Sequence, residues 1–490
     1  MISSYRCLLV AFLVLVLSAI AVATQPLGKT RRNVTCTGIH DHIPDGALAL
    51  YHLMANQTET VNFDALVGLM GVVTGGVDLS EYINTAHLAS HAINNATDGK
   101  GDGSHDYVAK AGHAWNNTWS ALVATVLQEA EEFLNDGDNI SAANALQRAF
   151  TYSSIAGRFS PLHTPAAVAA YVASVELFER FMNIPRPGFV NCQRVRIPLN
   201  ITSPTQGPRV GFLHGYWCPA AAPHPSGVSP TIVVMTGYDG TAEFLWQDYQ
   251  DVGRYGYNQL YFEGPGQGYV ARVENLTFIP EYELVVTTAL DYIISTFHVD
   301  DRYVFLMGVS FGGYLAPRAF AFESRFIGLI ADGGVLDFYQ GLFCPWPEEL
   351  RNMYLSGNPG DEAVFDGIVD GLATKVMGIF FGLEFGKLGF GAHNYSSLLD
   401  LAASYSLYDQ MNLFANRSLI VLNPAWDTLL GKQSELFWNH LPAVAEVSEI
   451  YSPDPYRGMG LHCAVGSTSN VNIHFWRWMN KVLKKAGGRR

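Results

Sequence analysis

Charge is scarce in this chain. Only 15% of its 490 residues are Asp, Glu, Lys or Arg, and acids outnumber bases 44 to 30, a formal net charge of −14. A surface of that sign repels phosphate backbones and anionic headgroups, which excludes nucleic acid and a membrane surface as partners. The one basic run, Lys484-Lys485 to Arg489-Arg490, reads as a solvated tail. Metal patterns are missing too. No Cys-x-x-Cys or His-Glu-x-x-His occurs, and His87, His91, His105 and His113 have no ligand partner at useful spacing. No metal or organic cofactor is expected. Cysteine is far too sparse for a disulfide-stapled scaffold. Beyond the amino-terminal leader only Cys36, Cys192, Cys218, Cys344 and Cys463 remain. An odd count leaves one thiol unpaired or shared between two chains, which keeps a homodimer open. Cys192 and Cys218 bracket a hairpin and are the expected bridge.

Long apolar runs are lacking as well, with one exception at the start. Arg6 precedes the run Cys7 to Val22, which closes on Ala21-Val-Ala23. A short apolar core before small residues predicts a secretory signal peptide over 1–23, with the mature chain beginning near Thr24. Asn-x-Ser/Thr acceptors at Asn33, Asn56, Asn95, Asn116, Asn139, Asn200, Asn275, Asn394 and Asn416 support secretion as a glycoprotein. After leader removal no membrane anchor is expected.

What is present is a rich apolar content, 49%, on a chain too long for one simple core. Residues 24–188 read as an amino-terminal helical domain. From about Ile43 to Met182 apolar residues recur at helical spacing, most regularly in Ala109 to Leu134, Ala142 to Phe159 and Pro165 to Met182. Pro185-x-Pro187-Gly188 marks its end. Val190 to Leu199 and Val210 to Trp217 alternate as an antiparallel strand pair. Short apolar runs then alternate with helical stretches: Thr231–Thr236, Asn258–Phe262, Tyr303–Met307, Ile327–Ala331, Ser418–Leu422 and Val447–Tyr451. That rhythm predicts an α/β fold with a mostly parallel sheet and an antiparallel start. Its core spans 189–338 and 412–490, interrupted by a cap-like insertion at 339–411. Phe343, Trp346, Phe380, Phe381, Phe385 and Phe390 in that insertion fit an apolar or aromatic ligand, and equally an ordinary cap core.

The chemistry concentrates at Gly308-Val-Ser310-Phe-Gly312-Gly313, between a buried strand and a helix. Such a turn pushes a serine out on a strained elbow as a nucleophile. A serine hydroxyl needs a base within hydrogen-bond reach, and the base needs an acid to orient it. In the chain order Ser, Asp, His, the acid is Asp427, just past the strand Ser418–Leu422, with Asp332 and Asp337 as rivals. The base is His462, in the glycine-rich loop Arg457 to Gly466; His440 and His474 lie in helical stretches. Two N–H donors are needed for a developing oxyanion. They are expected from Phe311 and from Tyr238 in Thr236-Gly237-Tyr238-Asp239-Gly240. The loop Glu263-Gly-Pro-Gly-Gln-Gly268 resembles a phosphate loop only superficially and is expected to shape the rim.

Gly237-Tyr-Asp-Gly-Thr-Ala-Glu243, Gly264-Pro-Gly-Gln-Gly268, Gly308-Val-Ser-Phe-Gly-Gly313 and His462-Cys463 together carry a resemblance. The chain resembles the α/β-hydrolase family that includes 2,6-dihydropseudooxynicotine hydrolase and fungal hydrolases that shorten polyketides by carbon–carbon cleavage. The resemblance implies an α/β-hydrolase fold with Ser310, His462 and Asp427 as catalytic residues. It departs in Glu263, where an aspartate is usual, and in its signal peptide and glycan acceptors. The expected activity is serine hydrolysis of an ester or activated C–C bond in a small apolar or aromatic, polyketide-like substrate. The alternatives are a peptidase or acyl-aminoacyl hydrolase, and a catalytically silent binding protein.

Overall fold

The computed structural model describes residues 31–36, 76–97, 106–297 and 299–487. The leader at 1–23, Asn56 and His105 lie outside them. Among the described residues, the first helices are α1 (Leu79–Ala96), α2 (Tyr107–Asn135), α3 (Asn139–Gly157) and α4 (Pro165–Asn183). Local signals set their ends. The Asp138 carboxylate accepts the Ser141 N–H at the start of α3, and Thr164 with Pro165 opens α4. These helices bury Trp115, Trp119, Phe150 and Phe178.

The core follows as β1 (Gln193–Ser203), β2 (Gly207–Cys218), β3 (Thr231–Met235), α5 (Ala242–Tyr249), β4 (Asn258–Glu263), α6 (Gly268–Val273), α7 (Glu283–Phe297), β5 (Val304–Val309), α8 (Gly312–Phe322) and β6 (Phe326–Asp332). Five helices come next: α9 (Phe338–Phe343), α10 (Glu348–Leu355), α11 (Pro359–Ala373), α12 (Met377–Phe390) and α13 (Tyr395–Ala402). The chain returns through β7 (Leu419–Leu422), α14 (Gln433–Asn439), β8 (Glu449–Tyr451) and α15 (Thr468–Gly487). Among the described residues, eight strands form one sheet in the order β1-β2-β4-β3-β5-β6-β7-β8. β1 and β2 pair antiparallel, as do β2 and β4, and every later pair is parallel.

Both faces of the parallel region are covered, which is why its strands read as unbroken apolar runs. Val233, Met235 and Leu306 face one core with α7 and α8. Ile232, Val234, Phe305 and Met307 face the other, with α5 and α15. The amino-terminal helices extend that second core, where the Phe178 ring meets Trp246 at 5.4 Å and Tyr216 at 5.1 Å.

Cys192 and Cys218 form a disulfide across the start of β1 and the end of β2. A second bridge joins Cys36 to Cys344. It fastens the segment 31–36 to the helices between β6 and β7. Arg31 bonds both carboxylate oxygens of Asp400, and Arg32 pairs with Asp337. Cys463 is free and buried, so as folded it offers no bridge to a second chain. Among the described residues, no helix is long and apolar enough to cross a membrane.

Candidate active site

Past the end of β5 the chain turns so sharply into α8 that Ser310 holds φ at 61°. For a residue with a side chain that costs on the order of 1–3 kcal/mol. Packing enforces it. A Cβ on Gly308 would lie 2.0 Å from the Gly312 carbonyl oxygen, so only glycine lets strand and helix meet there. The Ser310 N–H donates to the Asp332 carbonyl at 2.8 Å, and the Ser310 carbonyl accepts the Gly313 N–H at 2.7 Å. The backbone is pinned on both sides while the side chain stays half-buried.

Three side chains from distant parts of the chain meet at this elbow. His462 Nε2 lies 2.8 Å from Ser310 Oγ, and its Nδ1 lies 2.7 Å from Asp427 Oδ2. The other Asp427 oxygen accepts the N–H groups of Leu429 and Leu430, each at 2.9 Å. An ionised carboxylate only accepts, so Nδ1 carries a proton, and whenever the ring is neutral Nε2 is left to accept from the serine hydroxyl. Burial alone would push Asp427 up, but the His462 ring and the two backbone N–H groups hold it below the usual carboxylate range. For His462, burial opposes the charged form, and the facing carboxylate outweighs it, raising the imidazole well above its ordinary value. Such a row can pass a proton from serine to imidazole and stabilise the imidazolium that results.

The rival acids are engaged elsewhere. Asp332 accepts the Tyr249 hydroxyl at 2.7 Å, and burial pushes its carboxyl up to about 7. Asp337 caps α9 and pairs with Arg32. His440 donates to the Leu436 carbonyl at 2.8 Å, and the His474 ring stacks on Tyr451 at 4.2 Å.

Sequence reasoning missed a tie between elbow and histidine loop. The Cys463 thiol donates to the Asp332 carbonyl at 3.3 Å, the same oxygen that accepts the Ser310 N–H. Cys463 and Ala464 both hold φ at 50°. The adjacent pair His462-Cys463 was the only signal in the sequence, and it does not reveal the partner.

The loop after β3 lies against the elbow. A Cβ on Gly237 would sit 2.6 Å from the Phe311 nitrogen and 2.8 Å from the Ser310 Cβ. Tyr238 follows, with its hydroxyl donating to the Gly382 carbonyl of α12 at 2.7 Å. The insertion aromatics divide into two groups. Phe390 and Phe385 face Tyr238, at ring distances of 6.0 and 6.4 Å, and Phe390 lies 5.7 Å from Phe311. Trp346 instead packs with Phe365 and Tyr395, and Phe343 with Tyr354, inside the insertion. The amino-terminal helices close the same edge. Arg158 reaches Asp239 and lies over Phe381, and the Leu162 N–H donates to Glu384 of α12. The expected rim loop 263–268 is a correction. Glu263 and Gln267 are wholly buried beneath the loop after β3, because their polar groups bond that loop's backbone rather than water.

No protein-family model matches the chain. Fold and the comparisons with known proteins agree on the class: the chain has the α/β-hydrolase fold and resembles hydrolases of that family. In sequence it is similar to the hydrolase LUC6 of a Fusarium species, 28% identical over 382 residues, covering 76% of this chain and 88% of that one. It is also similar to the 20-hydroxy-prefusarin hydrolase FUS2 of Gibberella moniliformis, 28% identical over 303 residues, covering 60% of this chain and 69% of that one. In fold it matches the crystal structure of 2,6-dihydroxy-pseudo-oxynicotine hydrolase, with a TM-score of 0.59 at 18% identity over 84% of this chain and 95% of the other.

Proposed function

We propose that the protein is a secreted serine hydrolase in which Ser310 attacks a carbonyl, His462 takes and returns the proton, and Asp427 orients the imidazole. The observation that carries this reading is the continuous row Ser310 Oγ–His462 Nε2 at 2.8 Å and His462 Nδ1–Asp427 Oδ2 at 2.7 Å. The N–H groups of Phe311 and Tyr238 receive the oxyanion, and water then releases the acyl group. The substrate is a small apolar or aromatic ester or activated ketone. The aromatic rings of Tyr238, Phe385 and Phe390 beside the elbow support that class, as does the similarity to a 20-hydroxy-prefusarin hydrolase. A C–C bond alpha to a carbonyl can be cleaved by the same residues, since the tetrahedral adduct expels a stabilised carbanion in place of an alkoxide.

The test is labelling of the secreted protein with a fluorophosphonate, followed by peptide mass analysis. Modification at Ser310, with Ser310→Ala folded but unlabelled, is expected. On the order of a million-fold of turnover should go with the hydroxyl. An unlabelled wild-type protein, or a Ser310→Ala variant within about tenfold of wild-type turnover, would overturn the serine mechanism. A panel of aryl esters, acyl-peptides and β-diketones then separates ester, peptide and C–C chemistry.

A further inference from the structure

The buried loop between β4 and α6 grips the loop after β3 through one side chain. Gln267 Nε2 donates to the Thr236 carbonyl at 2.6 Å and to the Gly237 carbonyl at 3.2 Å. Its Oε1 accepts the Gly264 N–H at 2.8 Å and the Tyr282 hydroxyl at 3.0 Å. The amide orientation follows from these partners, because a backbone N–H can only donate and a carbonyl can only accept. Every polar atom of Gln267 is therefore committed, and the residue is wholly buried. Glu263, the last residue of β4, accepts the Ala242 N–H at 2.8 Å and so fixes the far end of the segment 236–242.

The Gly237 carbonyl and the Tyr238 N–H belong to one planar trans peptide, so fixing the first fixes the second, pointing the other way. We propose that Gln267 is a positioning residue for the oxyanion site: by holding the Gly237 carbonyl it aims the Tyr238 N–H at the oxygen of the tetrahedral intermediate. Donation to that carbonyl also polarises the peptide and strengthens its N–H as a donor. The neighbouring Thr236 carbonyl, held by the same nitrogen, fixes the Gly237 peptide in turn. Gly237 sets the reach of this device, since its bare Cα lets the segment press against Phe311 and Ser310. The inference rests on the serine mechanism proposed above.

Gln267→Glu tests it. Once ionised, the new carboxylate keeps acceptors for Gly264 and Tyr282 and has no donor for the two carbonyls, so kinetics are compared at alkaline pH, where a buried carboxyl is ionised as well. With 4-nitrophenyl butyrate as the probe, kcat is expected to fall about a hundredfold, the scale of losing one oxyanion donor, while KM stays within about threefold. The inhibition constant of an alkyl trifluoromethyl ketone, which forms a tetrahedral oxyanion on the serine, should rise by the same factor as kcat/KM falls. A role in packing alone would not link those two quantities. Should Gln267→Glu fail to fold, Tyr282→Phe decides, because it removes the hydroxyl that orients Oε1 and leaves Gln267 in place. Fluorophosphonate labelling about threefold slower at unchanged KM is then expected. A folded Gln267→Glu with wild-type kcat, a loss carried by KM alone, or wild-type labelling of Tyr282→Phe where it must decide, would overturn the assignment. A wild-type protein that takes no fluorophosphonate would instead overturn the serine mechanism itself.

Discussion

Three histidines follow Asp427 in the sequence, and of these His462 alone lies within hydrogen-bond distance of Ser310. His440 spends its Nδ1 on the carbonyl that ends its own helix, and His474 lies flat on Tyr451. Turnover should therefore vanish in His462→Ala and persist in His440→Ala and His474→Ala, with circular dichroism reporting intact folds in all three. If His474→Ala were as inactive as His462→Ala, the reading of His474 as a structural residue of the terminal helix would be wrong. The carboxylate sets the pH response. A facing Asp427 raises His462 by stabilising its protonated form, and the base works only when neutral. kcat/KM should thus fall on the acid side with an apparent pKa above the free-imidazole value of about 6.5. Asp427→Asn removes the charge, so the limb should move to lower pH while the plateau drops about ten-thousand-fold. A limb that stays in place would argue against an Asp427–His462 ion pair. Ser310, Asp427 and His462 were legible because their loops follow strands in a fixed order with glycines around them. Cys463 and Gln267 were not. Their partners are carbonyl oxygens, which every residue carries and no sequence pattern marks.

At the level of elements, the elbow between β5 and α8 is a packing problem solved by missing side chains. A Cβ on Gly308 would fall 2.0 Å from the Gly312 carbonyl oxygen and 2.6 Å from the Ala316 Cβ. Backbone and a short side chain cannot swing away, so strand and helix must separate. Gly308→Ala should cost about 3 kcal/mol or more of stability and displace Ser310 from His462. Calorimetry with parallel fluorophosphonate labelling reads both; a variant that melts and labels like wild type would mean the elbow has slack. The buried parallel strands were legible to within a residue or two, since both faces are apolar. β1 was read short. It runs on through Asn200 to Ser203, paired with β2 as far as Ser203↔Gly207. It is an edge strand with one wet face, so its outer residues are polar and resemble a loop. The five helices between β6 and β7 follow the break in rhythm after Tyr339. Which of their aromatics face the elbow was not legible, because a ring in the insertion's own core has the same composition as one that faces a site.

At the scale of the whole molecule, the proposed secretion can be tested on the outer surface and on the long-range ties. Asn33, Asn95, Asn200, Asn275 and Asn416 are exposed. Asn116 instead donates its amide to the Ala156 carbonyl, and Asn394 donates to Asp366 while capping α13. Glycopeptide mapping should find the exposed set occupied and Asn394 largely bare; a fully occupied Asn394 would mean that its amide nitrogen is not held by Asp366 as described. The strap 31–36 makes the longest connection. Its disulfide spans 308 residues, a separation no local pattern reveals, whereas Cys192–Cys218 spans 26 across a hairpin and was legible. The bridge limits the freedom of the unfolded chain, which is worth typically about 2–4 kcal/mol. It also holds Arg31 against Asp400 and Tyr354, and Arg32 against Asp337, so the strap is tied down at both arginines and is not free to unfold into a protease cleft. Replacing Cys36 and Cys344 together by serine should lower the melting temperature by a few degrees and open the Arg31-Arg32 bonds to trypsin. Labelling of Ser310 should continue, because neither cysteine touches the elbow. Equal melting and equal resistance to trypsin in the double variant would show that the side-chain bonds alone hold the strap. In that case Arg31→Ala, which gives up both bonds to Asp400, should release it where loss of the disulfide does not.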